Sequence, residues 1–338
     1  MKNILFCLIG AASWGGVENC SAATHELKAT PGTVVWGYYW AAAKPVLRVK
    51  SGDTVRMETV STGSPARFVA AGIPVDQISP ALRQIYAEVT DKGPGGHILT
   101  GPVYVEGAEP GDVLEVRIVK IEMASPYAYN GYRPGSGFLP DDFAQARMKI
   151  IPLDRERGIA HFSDSIKIPL SPFFGSMGVA PPEDKGRINS APPGIHAGNL
   201  DNKRLVAGTT LFIPVHAKGA LFLAGDGHAG QGNGEVDITA LETELTGTFQ
   251  FIVRKDLHLN WPRAETPTHF ITMGIHEDLT EATKLAVRET LDFLVKEKGL
   301  SREDAYMLAS TAVDFEITQL VDGTKGVHGM IPKGIFNQ

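Results

Sequence analysis

Pro110-Gly111-Asp112-Val113-Leu114-Glu115-Val116-Arg117-Ile118 is a turn that hands the chain straight into a strand. Gly-Asp makes the turn, and the alternation after it puts Leu114, Val116 and Ile118 on one side and Glu115 and Arg117 on the other. The phrase recurs upstream as Ser51-Gly52-Asp53 leading into Thr54-Val55-Arg56-Met57-Glu58, with the alternating Pro45-Val46-Leu47-Arg48-Val49 before it. A looser echo, Ala207-Gly208-Thr209-Thr210, opens Leu211-Phe212-Ile213-Pro214-Val215. Two readings of the echo stand side by side: related β-units from an old duplication, or the plain frequency of Gly-Asp before strands.

Outward from these phrases, residues 33–253 read as β-rich. Stretches 126–137 and 169–193 carry too many Pro and Gly for element interiors and are expected as ordered loops. The chain then changes character. Ala282, Leu285, Ala286, Leu291 and Leu294 have helical apolar spacing over 280–298, and Gly299 ends that helix. Ser301-x-x-Asp304 is a capping box opening a second helix towards Val313, so the helical pair occupies about 278–313. A closing strand is expected at 315–321. Mostly β followed by a helical pair is not the alternating order of a parallel α/β sheet.

A hydrophobic fraction of 43% and a charged fraction of 21% suit a chain that buries a core. The net charge of −6, with no Lys/Arg-rich run, argues against a nucleic-acid footprint and against an anionic membrane surface. Lys2, the apolar run 4–12 and Ser21-Ala22-Ala23 read as a cleavable leader over residues 1–23, too short to span a bilayer. That leaves 24–338 as the mature domain, periplasmic or secreted and without a membrane anchor. The bland alternative is a slightly apolar native N-terminus. The only 2 cysteines, Cys7 and Cys20, fall in this leader. A mature chain without cysteine has no disulfide framework, no zinc-finger cluster and no cysteine nucleophile.

The densest polar run is Gly225-Asp226-Gly227-His228-Ala229-Gly230-Gln231-Gly232-Asn233-Gly234-Glu235, after the apolar stretch 220–224. On an extended chain Asp226 and His228 point to the same side. A carboxylate beside an imidazole suits a zinc-like divalent cation. Glu235 is a candidate general base for a metal-activated water, and Gln231 a candidate substrate contact. Gly225-x-Gly227-x-x-Gly230 also fits the dinucleotide fingerprint, but a β-run follows where that fingerprint needs a helix. A glycine-rich hairpin whose Asp and His merely satisfy the turn is the structural alternative. In Pro192-Pro193-Gly194-Ile195-His196-Ala197-Gly198-Asn199-Leu200-Asp201, His196 and Asp201 are ligand types, and Asn199 could orient a substrate amide. In Gly95-Gly96-His97 through Val105-Glu106, His97 or Glu106 could reach the same site; a satisfied structural histidine is the plainer reading. There is no Gly-x-Ser-x-Gly elbow and no His-Glu-x-x-His helix. A water activated by metal is then the remaining route to hydrolysis.

Taken in order, these phrases resemble the acetamidase/formamidase family. The resemblance runs through Pro31-Gly32-Thr33-Val34-Val35-Trp36-Gly37-Tyr38, Thr100-Gly101-Pro102-Val103-Tyr104-Val105-Glu106-Gly107-Ala108-Glu109-Pro110-Gly111-Asp112, the His196 to Asp201 loop, the Gly225 to Val236 phrase, and Val313-Asp314 with Gln319 and Gly326-Val327-His328. It implies a mainly β, β-sandwich-type (jelly-roll-like) fold with an added C-terminal helical pair. It also implies a bound divalent metal, zinc with calcium as the alternative, and hydrolysis of short linear carboxamides to ammonia and carboxylate. By motif, Asp226, His228, Asp201 and His196 become metal ligands, Glu235 with His97 the catalytic pair, and Asn199, Glu106 and Gln231 the substrate contacts. A homo-oligomer is expected. Two other functions compete: a lactam or other small-amide hydrolase of the same fold, and a non-catalytic periplasmic protein holding a metal or ligand. Ammonia release from short amides, with and without chelator, separates them.

Overall fold

The structure is a computed structural model that describes residues 22–336; Cys7, Cys20 and most of the expected leader lie outside the described residues. Nine strands form one sheet in the order Thr24–Leu27, Thr54–Glu58, Leu245–Arg254, Val113–Met123, Thr209–Pro214, Arg263–Glu265, His269–His276, Lys325–Pro332, Asp314–Gln319. All three turn-strand phrases feed this sheet. The first two share one device: Asp53 Oδ2 accepts from Lys50 N at 2.9 Å and Asp112 Oδ2 from Glu109 N at 2.9 Å. Gly52 (φ 100) and Gly111 (φ 95) take the left-handed residue of each turn. The third differs, for Thr209 Oγ1 donates to the Val206 carbonyl at 2.6 Å instead.

A second, eleven-stranded sheet is organised around Phe222–His228, every residue of which is buried. Phe173–Gly178 pairs with one edge of that strand. Ile98–Val105 takes the first part of the other edge and Glu242–Thr243 the last. The two sheets face each other across the main core. Val55, Met57, Leu114, Val116, Ile118, Phe249 and Phe251 come from one, and Val103, Phe174, Met177 and Phe222 from the other. Aromatic rings lock the layers, Phe174 to Phe249 at 5.3 Å and Phe222 to Phe251 at 4.9 Å. Burying each such side chain stabilises the fold by about 1.5–3 kcal/mol. The expected sandwich with a helical addition is therefore the observed architecture.

The added helices are Leu279–Lys298 and Arg302–Ala312. Asp278 caps the first, accepting from Glu281 N at 3.0 Å, and Ser301 Oγ caps the second, accepting from Asp304 N at 3.0 Å. The closing strand is Asp314–Gln319, but it is not the last. Lys325–Pro332 follows and inserts between it and His269–His276. The region expected as strands and turns alone also contains two short helices, Pro65–Ala70 and Pro80–Glu88. Each begins Ser-Pro, with Ser64 accepting from Arg67 N at 3.3 Å and Ser79 from Leu82 N at 3.1 Å. Proline looks like loop punctuation, yet at the first helical position its missing N–H costs nothing. Among the described residues no helix is long and apolar enough to cross a membrane.

Candidate active site

The strand Phe222–His228 brings Asp226 and His228 to its end, where the sheet stops and loops converge. His228 is wholly buried, with Phe173 edge-on to its ring at 5.0 Å. Its Nδ1 lies 3.1 Å from Gln231 Oε1, and Gln231 Nε2 donates to the Asp201 carbonyl at 2.9 Å. The glutamine is thereby turned so that its oxygen faces the ring, so Nδ1 carries the proton. Nε2 then points at three carboxylates: Glu242 Oε1 at 3.3 Å, Asp226 Oδ2 at 3.4 Å and Glu235 Oε1 at 4.0 Å. None of the three makes a hydrogen bond with it, and Nε2 has no hydrogen-bond partner among the described residues.

This cluster repels itself unless a positive charge sits inside it. In the protein alone that charge is the imidazolium. Burial presses the pKa of His228 down, but Glu242 and Asp226 outweigh it and hold the value well above that of an ordinary histidine. Asp226 is held below the usual carboxylate range, burial working against the nearby His97 and His228. The remaining acids go the other way. Burial, compounded by neighbouring carboxylates, raises Asp201 and Glu235 well above the ordinary range; it also raises Glu242, and takes Asp322 to about 6.

The donor atoms fit a divalent cation. Asp201, His228 and Glu235 form one trio, and Asp226, His228 and Glu242 another, each with ligand atoms within 4.8 Å of one another. Both trios share His228. Asp201 Oδ1 is a second buried atom without a hydrogen-bond partner among the described residues. No side chain fits beside this spot, since a Cβ on Gly175 would stand 2.5 Å from Asp201 Oδ1, 2.6 Å from Asp226 Oδ2 and 2.7 Å from His228 Cε1. Asp201 (φ 47), Asp226 (φ 56) and Glu235 (φ 45) all adopt the left-handed conformation that non-glycine residues avoid. Such conformations persist where the surroundings over-determine them.

A cavity of about 210 Å³ opens onto Asn199, Asp226, Glu235, Glu242 and Asp322, with Thr62, His97, Tyr129 and Arg133 among the other residues of its wall. Asn199 Nδ2 donates both to Asp201 Oδ2 at 2.9 Å and to Asp322 Oδ2 at 3.1 Å. Thr62 Oγ1 donates to Asp226 Oδ1 at 3.3 Å. His97 Nε2 is 3.7 Å from Asp226 Oδ2, its Nδ1 lying 3.1 Å from Ser190 Oγ.

Asp226, His228, Asp201, Glu235, Asn199 and His97 are thus brought together from three separate stretches of sequence. Three expected residues are not. His196 is buried away from the carboxylates, edge-on to Tyr39 at 4.9 Å, and burial with the nearby His216 pushes it down to about 3. Glu106 is exposed just past Val105, at the end of a strand whose other end, Leu99, meets Gly225; the strand's length separates it from the cavity. Gln231 sits behind His228 and orients it instead of facing the cavity. Glu242 and Asp322 were not anticipated. Glu242, between Leu241 and Thr243, reads as one polar residue in a strand, and Asp322-Gly323 reads as an ordinary turn.

Comparison with known proteins places this sandwich among the amide hydrolases. The chain belongs to the acetamidase/formamidase family, whose model matches residues 38–190 and 184–338. It is 28% identical over 300 residues to the formamidase of Methylophilus methylotrophus, covering 67% of this chain and 73% of that one. To the acetamidase of Mycolicibacterium smegmatis it is 27% identical over 304 residues, covering 64% and 73%. The crystal structure of an acetamidase from Bacillus halodurans matches with a TM-score of 0.78 at 31% identity, over 92% of this chain and 98% of that one.

Proposed function

We propose that the chain hydrolyses short, uncharged linear carboxamides such as formamide and acetamide to ammonia and a carboxylate, using one divalent cation. The observation that carries this reading is the unpartnered Nε2 of His228, buried and facing carboxylates beside a cavity sized for a small molecule. Asp226, His228, Asp201 and Glu242 would hold the cation. A nitrogen donor among the oxygens favours zinc over calcium, which prefers all-oxygen shells. When bound, the cation supplies Lewis acidity, making water more acidic and the amide carbonyl more electrophilic.

The chain's own groups do the rest. Glu235 takes a proton from the attacking water oxygen and returns it to the amide nitrogen as the C–N bond breaks, so ammonia leaves neutral. Both Nδ2 hydrogens of Asn199 are committed to carboxylates, which leaves Oδ1 as the acceptor for a substrate N–H. The relatives' names and the small cavity support a short acyl chain. The leader reading places the enzyme outside the cytoplasm, which N-terminal sequencing of exported protein beginning near Thr24 would test.

Ammonia release from a panel of short amides and lactams, with and without chelator and alongside elemental analysis, tests the whole reading. Linear amides should be turned over best and chelator should abolish turnover. Glu235→Gln should keep fold and cation while kcat drops roughly 100- to 10,000-fold; near-full activity would remove Glu235 from its role. Bound cation with no ammonia from any substrate would leave a binding protein.

A further inference from the structure

Glu316 lies on the edge strand Asp314–Gln319, outside the cavity and with no part in the chemistry above. Its carboxylate nevertheless gathers donors from two other segments. Arg204 Nη2 reaches Oε1 at 2.6 Å and Oε2 at 2.8 Å, and Asn233 Nδ2 donates to Oε2 at 2.8 Å. His328 Nε2 is 3.3 Å from Oε2, and its Nδ1 lies 2.6 Å from Thr318 Oγ1. His328, then Arg204 and Asn233, hold the Glu316 carboxyl well below the ordinary range, so it stays charged.

The positions of these partners carry the argument. Arg204 follows Asp201 in the same loop. Asn233 precedes Glu235 in the glycine-rich segment, and Gly234 pairs with the same edge strand, its N–H to Thr318 O at 3.0 Å and its carbonyl to Leu320 N at 3.0 Å. Past Gln319 that strand turns into Asp322. Three segments distant in sequence therefore deliver three carboxyl side chains to one place, two of them, Asp201 and Glu235, in strained backbone. Repulsion and strain both work to spread them.

We infer that Glu316 is a positioning residue, a clamp that ties the Asp201 loop and the Glu235 segment to the strand leading into Asp322 and so holds the cation-binding acids in register. The inference rests on the cation-site reading for one of its readouts. Groups behind a metal's ligands typically change metal affinity or activity 10- to 100-fold when lost.

The test uses Glu316→Gln, Asn233→Ala and the double variant of the full chain, with zinc as the probe. Glu316→Gln should bind zinc 10- to 100-fold more weakly, and amide hydrogen exchange at residues 232–235 should accelerate even with no zinc present. On an amide substrate, kcat should fall with KM nearly unchanged. Because both side chains act through one clamp, the double variant should lose less than the product of the single losses. Unchanged zinc affinity and unchanged exchange in Glu316→Gln, or fully multiplicative losses, would overturn the inference. Should Glu316→Gln not fold, Asn233→Ala must still show faster exchange at 232–235, and its absence would be decisive against the clamp. A wild-type protein that turns over no amide but shows the zinc and exchange shifts would retain the clamp and lose the amidase reading. If the wild type binds no divalent cation, the exchange pattern alone decides.

Discussion

His228 is the residue on which the site turns, because its Nε2 must hold either a proton or a cation. On the proposed reading, cation uptake would therefore displace protons, from His228 and from the acids that burial has raised. Apparent zinc affinity should rise with pH by roughly tenfold per unit for each proton displaced; titrations at pH 5.5 and 7.5 in weak buffer check both affinity and proton release. Gly175→Ala tests the same spot sterically. Its new Cβ intrudes on two carboxylates and the imidazole, so stability should fall by about 1–3 kcal/mol, as for overpacking, and cation content should fall with it. At this scale the sequence is legible where glycines isolate the chemistry, as around Asp226, His228 and Glu235. It is opaque for Glu242, whose importance comes only from facing His228 across a strand pair. His196 misled for the converse reason: a histidine in a glycine-rich loop looks available, but its backbone turns it towards Tyr39.

Elements were readable when their signals were local. The Gly-Asp turns announce the strands Thr54–Glu58 and Val113–Met123 because the aspartate side chain closes the turn on itself. The C-terminal helices were visible through apolar spacing and the Ser301 cap. Ser301→Ala should lower stability by about 1 kcal/mol in a denaturant titration and leave kcat unmoved, since no residue of this helix lines the cavity. The helices Pro65–Ala70 and Pro80–Glu88 carry the same kind of signal, a serine cap followed by proline, but both are short and lie inside a region whose composition is that of strands and turns. Lys325–Pro332 was hidden because Gly326 and Gly329 dilute its strand pattern; pairing on both edges makes up for their weak preference.

The whole molecule works as two sheets with the site at their shared rim, one sheet supplying Asp226, His228 and Glu242 and the edge of the other supplying Asp322. This pooling could not be read from any one segment, and it shapes stability against pH. In cation-free protein, Asp201, Glu235 and Glu242 have raised pKa values and Asp322 about 6. Their contribution is full below the ordinary carboxylate range and is lost as pH climbs through the folded values. Glu316 has the opposite sign: held low, it stabilises above its ordinary value and fails on acidification. Stripped protein should therefore be most heat-stable near pH 5 and weaken towards pH 8, and zinc should erase the alkaline loss. Thermal melts across that range, with and without zinc, decide it. The left-handed backbone at Asp201 and Glu235 sharpens the point, since each such residue costs of order 1–3 kcal/mol. Glycine there would relieve the backbone and remove a crowded carboxyl, so Asp201→Gly and Glu235→Gly should melt higher than the stripped parent while doing no chemistry. A lineage screened for heat resistance alone would shed those acids first and survive as an inert scaffold.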